Sequence, residues 1–446
     1  MKSIWEKEVE LPKFESLSGD IKTDVLVIGG GMAGLLTAYM LKEAGIRCIV
    51  VEAERVCGMT TGNTTAKITL QHGLIYDTLI KRFGVEKARL YLEANKKALD
   101  KYEALCTKIP CEYEKKNAYV YSLDSRRKIE NEISAYEKLS FKASFSLAEE
   151  LPFKTAGAVC VKNQAQFNPL MFAREISRGL QIYENTKVLS LENNTAVTSQ
   201  GKIHYKQAVV ATHFPFLNRH GWYFLKMYQH RSYVLALDNA SDVAGMYLDE
   251  NTYGLSFRNY KGVLLLGGGA HRTGKAGGGF LEIERSAKKY YPKSEILCKW
   301  AAQDCMTLDT VPYIGKYSLL SDNVFVATGF NKWGMSGSMV AAMLLSDLIL
   351  GKKNDYQFVF SPSRSILRPQ LALNIVESAV GLLRPTAPRC THLGCALKYN
   401  KEEHSWDCSC HGSRFSDNGT VLNNPAQKQK IKLQEKNKES GKNRQK

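Results

Sequence analysis

Val25 to Ile28 is an uninterrupted apolar run that stops on three consecutive glycines, Gly29, Gly30 and Gly31, and this junction restricts the fold more than any other stretch of the chain. A strand apolar on both faces belongs at the centre of a parallel sheet covered on both sides. A helix is expected at once: from Met32 to Ala44 the residues Leu35, Leu36, Tyr39 and Met40 recur at helical spacing, and Gly45 stands where a C-terminal cap belongs. Arg47 to Glu52 reads as a second apolar strand ending in an acid, which completes a βαβ unit. Within it, Gly29-Gly30-Gly31-Met32-Ala33-Gly34 satisfies G-x-G-x-x-G. Gly29 makes the tight turn, Gly31 lets the backbone approach a pyrophosphate, and Gly34 lets the helix pack on the strand. Met32 and Ala33 open a helix whose free N–H groups favour anionic phosphate. Glu52 is placed to accept from ribose hydroxyls and would repel a 2′-phosphate. The junction therefore predicts a dinucleotide site, for FAD or NAD, in a Rossmann-like α/β domain. A glycine-rich turn that binds no nucleotide is the alternative reading.

At 446 residues the chain exceeds what one hydrophobic core usually serves, so two or three domains are expected. Two amphipathic, charged segments, about Tyr76 to Cys106 and Arg126 to Leu139, read as surface helices outside the sheet and open a second domain. Strand patterns return between Ile182 and Thr212 and at Val263 to Gly267. A last strand, Asn323 to Thr328, precedes Gly329 and a helix from about Met335 to Leu350. After Ser361, Pro362, Pro369, Pro385 and Pro388 punctuate a connector with one short helical run, about Gln370 to Leu383. These breaks predict a discontinuous nucleotide-binding domain (22–75, 155–214 and 305–360) with an α+β substrate domain inserted in it (76–154 and 215–304). A connector (361–384), a small all-β module (385–426) and a basic tail (427–446) follow.

The formal charge of +17 raises the question of a nucleic-acid partner, but the last twenty residues alone hold eight Lys or Arg against two Glu and no aromatic residue that could stack on bases. The tail reads as solvated and disordered, and no nucleic-acid partner is expected. The N-terminus lacks the apolar core of a signal peptide, and no stretch approaches 18 uninterrupted apolar residues. The expectation is a cytoplasmic protein without a membrane span.

Seven of the eleven cysteines are scattered between Cys48 and Cys305, whereas four fall between Cys390 and Cys410. In a cytoplasmic chain such crowding points to a metal or redox site before structural disulfides. Cys390-Thr-His392, fifteen intervening residues, then Cys408-Ser-Cys-His411, resembles the Cys-x-His and Cys-x-x-His loops of a Rieske centre, in which two cysteines hold one iron of a 2Fe-2S cluster and two histidines the other. The neighbours Leu393, Gly394, Gly412, Ser413 and Phe415 match the residues of such loops. The resemblance implies Cys390, His392, Cys408 and His411 as ligands, and, from Rieske proteins of the respiratory type, a disulfide between Cys395 and Cys410. The alternative is zinc on Cys390, Cys395, Cys408 and Cys410; Cys-x-Cys is a poor zinc spacing, and zinc leaves the two histidines unexplained. His404 fits neither loop and reads as a surface residue. Only about 40 residues, Pro385 to Ala426, surround the loops, so the module is expected to dock on the rest of the chain through the connector helix and not to fold alone.

Three further segments, Gly58-Met-Thr-Thr-Gly-Asn-Thr-Thr-Ala-Lys67, Asn185-Thr-Lys-Val188 and Thr328-Gly-Phe-Asn-Lys-Trp-Gly-Met335, stand where the D-amino-acid oxidase and glycine oxidase superfamily of flavoproteins places its flavin contacts, and the chain resembles that superfamily over roughly residues 22 to 360. The resemblance selects FAD. It implicates Thr60, Thr61 and Thr65 in the segment that folds over the flavin, Val188 beside the adenine, and Gly329, Gly334 and Met335 at the final strand-to-helix turn. A helix beginning near Gly334 would aim its positive dipole at the pyrimidine end of the flavin, although such a turn also starts ordinary helices.

The superfamily oxidises amines and amino acids at a C–N bond, so the resemblance implies a small-molecule substrate of that kind. Lys67, His271 and Lys332 are the candidate polar groups near the ring. Histidine ligation sets a Rieske potential at about −150 to +300 mV, above most flavins. The expected direction of flow is from substrate to FAD, to the cluster and on to an unidentified acceptor. The alternative is a redox sensor or electron carrier without turnover, which predicts a flavin pocket closed to substrate.

Overall fold

The computed structural model describes residues 1–217, 221–385 and 388–427; the expected tail, from residue 428 onward, lies outside them. Ile21–Ile28 forms the middle of an eight-stranded sheet in the order Tyr313–Lys316, Val324–Thr328, Lys202–Val210, Ile21–Ile28, Cys48–Val51 and Gln181–Tyr183, with the hairpin Val188–Glu192 and Thr195–Thr198 attached to Lys202–Val210. Ile21–Ile28 runs parallel to both neighbours, so Ile28 pairs with Val210 on one side and Val51 on the other. That register gathers Gly29, Ala211 and Glu52 at the carboxyl ends of three adjacent strands, where open α/β sheets bind ligands. The helix Met32–Glu43 follows, and the helix Gly334–Ile349 packs on it. Gly334–Ile349 is buried over most of its length, as a helix apolar all round must be.

A nine-stranded sheet forms the second layer, in the order Glu295–Thr307, Met227–Asp238, Val263–Arg272, Ser256–Tyr260, Met246–Asp249, Glu114–Ser122, Gly157–Gln166 and Lys67–Ile68, with Ser144–Ser146 beside Gly157–Gln166. Gly157–Gln166, placed by its position in the chain with the nucleotide-binding segments, pairs antiparallel with Glu114–Ser122 and so belongs to this second sheet. Its apolar run suits either sheet; only the long-range partner decides. Lys67–Ile68 pairs with Ala165–Gln166, so the segment after Glu52 crosses from the first sheet to the second. Tyr76–Cys106 is one long helix kinked at Gly84, whose φ of 83° breaks the helical path. Its inner face is buried, and the Tyr102 hydroxyl donates to the Met335 carbonyl at 2.9 Å.

The C-terminal module is a four-stranded antiparallel sheet, Leu397–Asn400, Ser405–Cys408, Arg414–Ser416 and Val421–Asn423. Docking through the connector helix, Pro369–Leu383, is only part of its attachment, because the module also sits directly on the second sheet. The buried guanidinium of Arg231 forks onto the carboxylate of Glu403, which also takes the Tyr233 hydroxyl at 2.9 Å and Arg414 at 3.0 Å. Arg414 reaches Asp407 at 2.9 Å as well. Burial alone would raise the Glu403 carboxyl, but Arg231 and Arg414 outweigh it and hold it at about 2. Arg231 and Glu403 are 172 residues apart and belong to no local pattern, which is why spacing could not reveal this contact.

Candidate functional site

A cavity of about 1150 Å³ opens between the two sheets. Gly29, Gly31, Met32 and Ala33 line it from the first turn, with Glu52 beside them. Gly29 and Gly34 sit where a side chain would collide. A Cβ on Gly34 would lie 1.9 Å from the Gly29 carbonyl oxygen, and one on Gly29, at φ 111°, 2.5 Å from the Ala211 oxygen. Gly34 thus supports the turn from behind without lining the cavity. Glu52 accepts from the Gly30 N–H at 2.7 Å and the Glu54 N–H at 3.0 Å, which aims its carboxylate along the cavity wall. Thr61 accepts from the Met32 N–H at 3.1 Å, so one donor of the helix start is already capped by a side chain.

Thr60, Thr61, Thr65 and Lys67 line the cavity where the chain crosses between sheets, and Val188, Lys332, Gly334 and Met335 complete the wall. Gly329 does not reach it; at φ 71° it makes the turn that leads there. Asn331 and Lys332 both hold left-handed backbone, at φ 51° and 73°, and Asn331 fixes the turn by accepting from the Thr307 N–H at 2.8 Å and donating to the Gly329 carbonyl at 2.6 Å. Such conformations persist in non-glycine residues where the surroundings impose them, commonly at functional sites. His271 is not in the wall. Gly268 and Ala270 are, and one step further along the strand the side chain points to the opposite face, where the His271 ring stacks on Tyr233 at 5.7 Å.

Burial brings the Lys67 ammonium down to about 7, and the charge of Arg258 adds to the effect. Arg258 is itself fully buried and donates to the Thr65 and Ala66 carbonyls at 2.5 and 3.0 Å, which pins the crossing segment. Lys332 is also lowered by burial, against the opposing charge of Asp304. Asp304, Arg258 and His213 carry no motif and were invisible in the sequence; both Asp304 and His213 line the cavity.

The two cysteine- and histidine-bearing loops lie against each other. Cys390 and Cys408 are hydrogen-bond partners through their thiols, and the rings of His392 and His411 lie 4.9 Å apart. Burial holds the two imidazoles at about 4 and about 3, in the neutral form that ligates metal. Two thiols and two neutral imidazoles on facing tight loops are the donor set a Rieske cluster needs. Cys395 and Cys410, the pair expected to be bridged, have sulfurs within 4.8 Å of each other and of Cys408, but all eleven cysteines are unbonded in the structure. His404 is exposed, beside Tyr399 and Asp417.

Three sets of contacts among the described residues join the two sites. Thr212 and His213 line the cavity, and the next residue, Phe214, sets its ring edge to face against His392 at 6.5 Å. Gln229 donates to the His411 carbonyl at 2.7 Å, and Gln303 donates to the Gly412 carbonyl at 2.8 Å and to Gln229. Thr60, on the cavity wall, donates in turn to the Gln303 carbonyl at 3.0 Å. Asn424 of the module donates to the carbonyls of Thr212 and Phe214, and both it and Ala426 line the same cavity.

Comparison with known proteins agrees with this geometry. Residues 24–348 match the family model of FAD dependent oxidoreductases, and residues 362–435 that of the Rieske 2Fe-2S domain. A Bacillus subtilis protein described as a Rieske 2Fe-2S iron-sulfur protein, YhfW, is 36% identical over 95% of this chain and 96% of its own length. Gamma-glutamylputrescine oxidoreductase of Escherichia coli is 22% identical over 76% of this chain and 86% of its own. Glycine oxidase from Geobacillus kaustophilus shares the fold with a TM-score of 0.64 at 18% identity, covering 77% of this chain and 99% of its own. The chain belongs to the FAD-dependent oxidoreductase family and carries a C-terminal Rieske domain, which makes FAD and a 2Fe-2S cluster its cofactors.

Proposed function

We propose that this protein oxidises an amine or amino acid at a C–N bond and sends the electrons, one at a time, through its own Rieske module to a separate acceptor. FAD accepts the two electrons of a hydride together, and an iron–sulfur cluster relays them singly. The observation that carries the reading is the junction at Thr212 to Phe214: one short stretch of backbone forms the cavity wall and packs on the cluster ligand His392. The Gln229–Gln303 pair supplies a second, hydrogen-bonded connection from His411 and Gly412 to Thr60.

The class of substrate is supported by the names of the relatives, which include an oxidoreductase of gamma-glutamylputrescine and a glycine oxidase. Lys67 fits such a substrate. With its ammonium brought down to about 7, its Nζ can take the proton of an arriving ammonium and leave the substrate nitrogen with a free lone pair. Asp304 and Lys332 face the same space with opposite charges and would orient a polar substrate. The volume of the cavity and its extension onto the second sheet favour turnover over a closed sensor pocket.

Anaerobic mixing of the holoprotein with a panel of amines and amino acids, following the flavin and cluster spectra together, tests the reading. The expected result is flavin bleaching by at least one member of the panel, followed by reduction of the cluster. A flavin that bleaches while the cluster stays oxidised would overturn the internal relay, and a flavin that no member bleaches would favour the sensor.

A further inference from the structure

The connector helix Pro369–Leu383 is built inside out. Its inward stripe is polar or small. Asn374 accepts from Arg272 at 3.0 Å; Glu377 pairs with Lys275 at 2.5 Å; Gly381 lies so close to the module that an added Cβ would stand 2.7 Å from the Cys410 sulfur. The outward face carries Leu373, Val376, Val380 and Leu383, which are 52% to 82% exposed. A helix on a soluble surface shows the reverse arrangement. Two more exposed apolar groups extend the patch around the cluster. Leu393, between His392 and Gly394, adjoins the helix where Gly394 approaches Leu382, and Trp222 stands beside Phe224, whose ring packs on His411.

We infer that this face rests on a membrane surface of anionic lipid. Four observations select that occupant. The helix spans on the order of 20 Å, too short to cross a bilayer but suited to lying in its interface, and among the described residues no helix is long and apolar enough to cross a membrane. Charge complements the surface: Arg368 and Arg384 bracket the apolar run, its one acid is paired inward with Lys275, and the whole chain carries +17. Residues 428–446 hold only Ile431 and Leu433 among large apolar side chains, so they cannot cover the face, while their eight Lys or Arg add to the attraction. An exposed tryptophan at the rim is the residue that settles at the lipid–water boundary. Docked in this way, the loop carrying His392 and Leu393 faces the lipid.

The test is sedimentation of the full holoprotein with vesicles of phosphatidylglycerol and phosphatidylcholine, against vesicles of phosphatidylcholine alone, at low and high salt. Binding is expected only to the anionic vesicles, with at least a tenfold loss in V376E/V380E while the flavin and cluster spectra are retained. Quenching of tryptophan emission by spin-labelled lipid, absent in Trp222→Phe, is the second reading and does not depend on the double variant folding. The inference is overturned if V376E/V380E binds as well as the wild type, which would assign binding to the tail. It is equally overturned if the wild type ignores anionic vesicles and instead sediments as a dimer that V376E/V380E dissociates.

Discussion

The turn at Gly29 to Gly34 and the loops at Cys390 to His392 and Cys408 to His411 are the proposed seats of the two redox groups, but they rest on very different foundations. The glycine turn lies at the carboxyl end of a central strand of an eight-stranded sheet, where Val25 to Ile28 and the neighbouring Cys48–Val51 are buried, and its helix is clamped by Gly334–Ile349. The cluster loops stand on strands of three or four residues, and the apolar cluster behind them consists of Cys390, Cys395, Leu397, Cys408, Cys410, Phe415 and Ala426. Four of those seven are cysteines, so the core of the module is largely the site itself. A unit that small rarely supplies enough burial to fold unaided. The host meets the module through the Arg231–Glu403 pair and the hydrogen bonds from Gln229, Gln303 and Arg272, contacts expected to supply the rest. One site is carried by its fold, and the other is carried by docking.

Glu403→Ala strikes that difference hardest. It leaves Arg231 and Arg414 buried without their shared carboxylate, a loss of about 3 to 5 kcal/mol for a broken buried pair. Iron content and the cluster spectrum should fall while FAD content stays at the wild-type level. Equal loss of both cofactors would show that the two regions fold as one unit and erase the contrast.

Gln303→Leu is a smaller intrusion at the joint. It removes the donor to the Gly412 carbonyl and to the Gln229 side-chain oxygen, costing about 1 to 3 kcal/mol. Flavin reduction by substrate should keep its rate while cluster reduction slows in stopped-flow traces. Unchanged transfer would move the connection to Phe214 alone.

Lys67→Met probes the flavin side by itself. A lysine neutral near pH 7 when folded but titrating at 10.5 when unfolded makes the unfolded chain hold the extra proton between those values. Wild-type stability should therefore rise relative to the variant by up to about 1.4 kcal/mol per pH unit as pH climbs from 7 to 10.5, and stay level below that window. Denaturant melts of both proteins across that range are the measurement, and parallel curves would place the Lys67 ammonium in contact with water.

What could be read from the sequence was local. Gly29, Gly31 and Gly34 announce a phosphate turn by their close spacing, with Gly34 packed against the Gly29 carbonyl, and Cys390, His392, Cys408 and His411 announce a cluster because ligand chemistry sets their spacing. Thr60, Thr61, Thr65 and Lys67 were singled out by resemblance to a flavoprotein superfamily, and all four line the cavity. The tertiary structure decided every choice between distant partners. It gave Gly157–Gln166 to the second sheet, turned His271 away from the cavity, set Phe214 against His392, and drew Glu403 to Arg231. An apolar strand carries no mark of which sheet will take it, and a lone histidine or glutamate no mark of which face it will meet. Those outcomes depend on burial, paired charges and hydrogen bonds brought together across long stretches of chain, 243 residues between Thr60 and Gln303, and only the folded protein makes them.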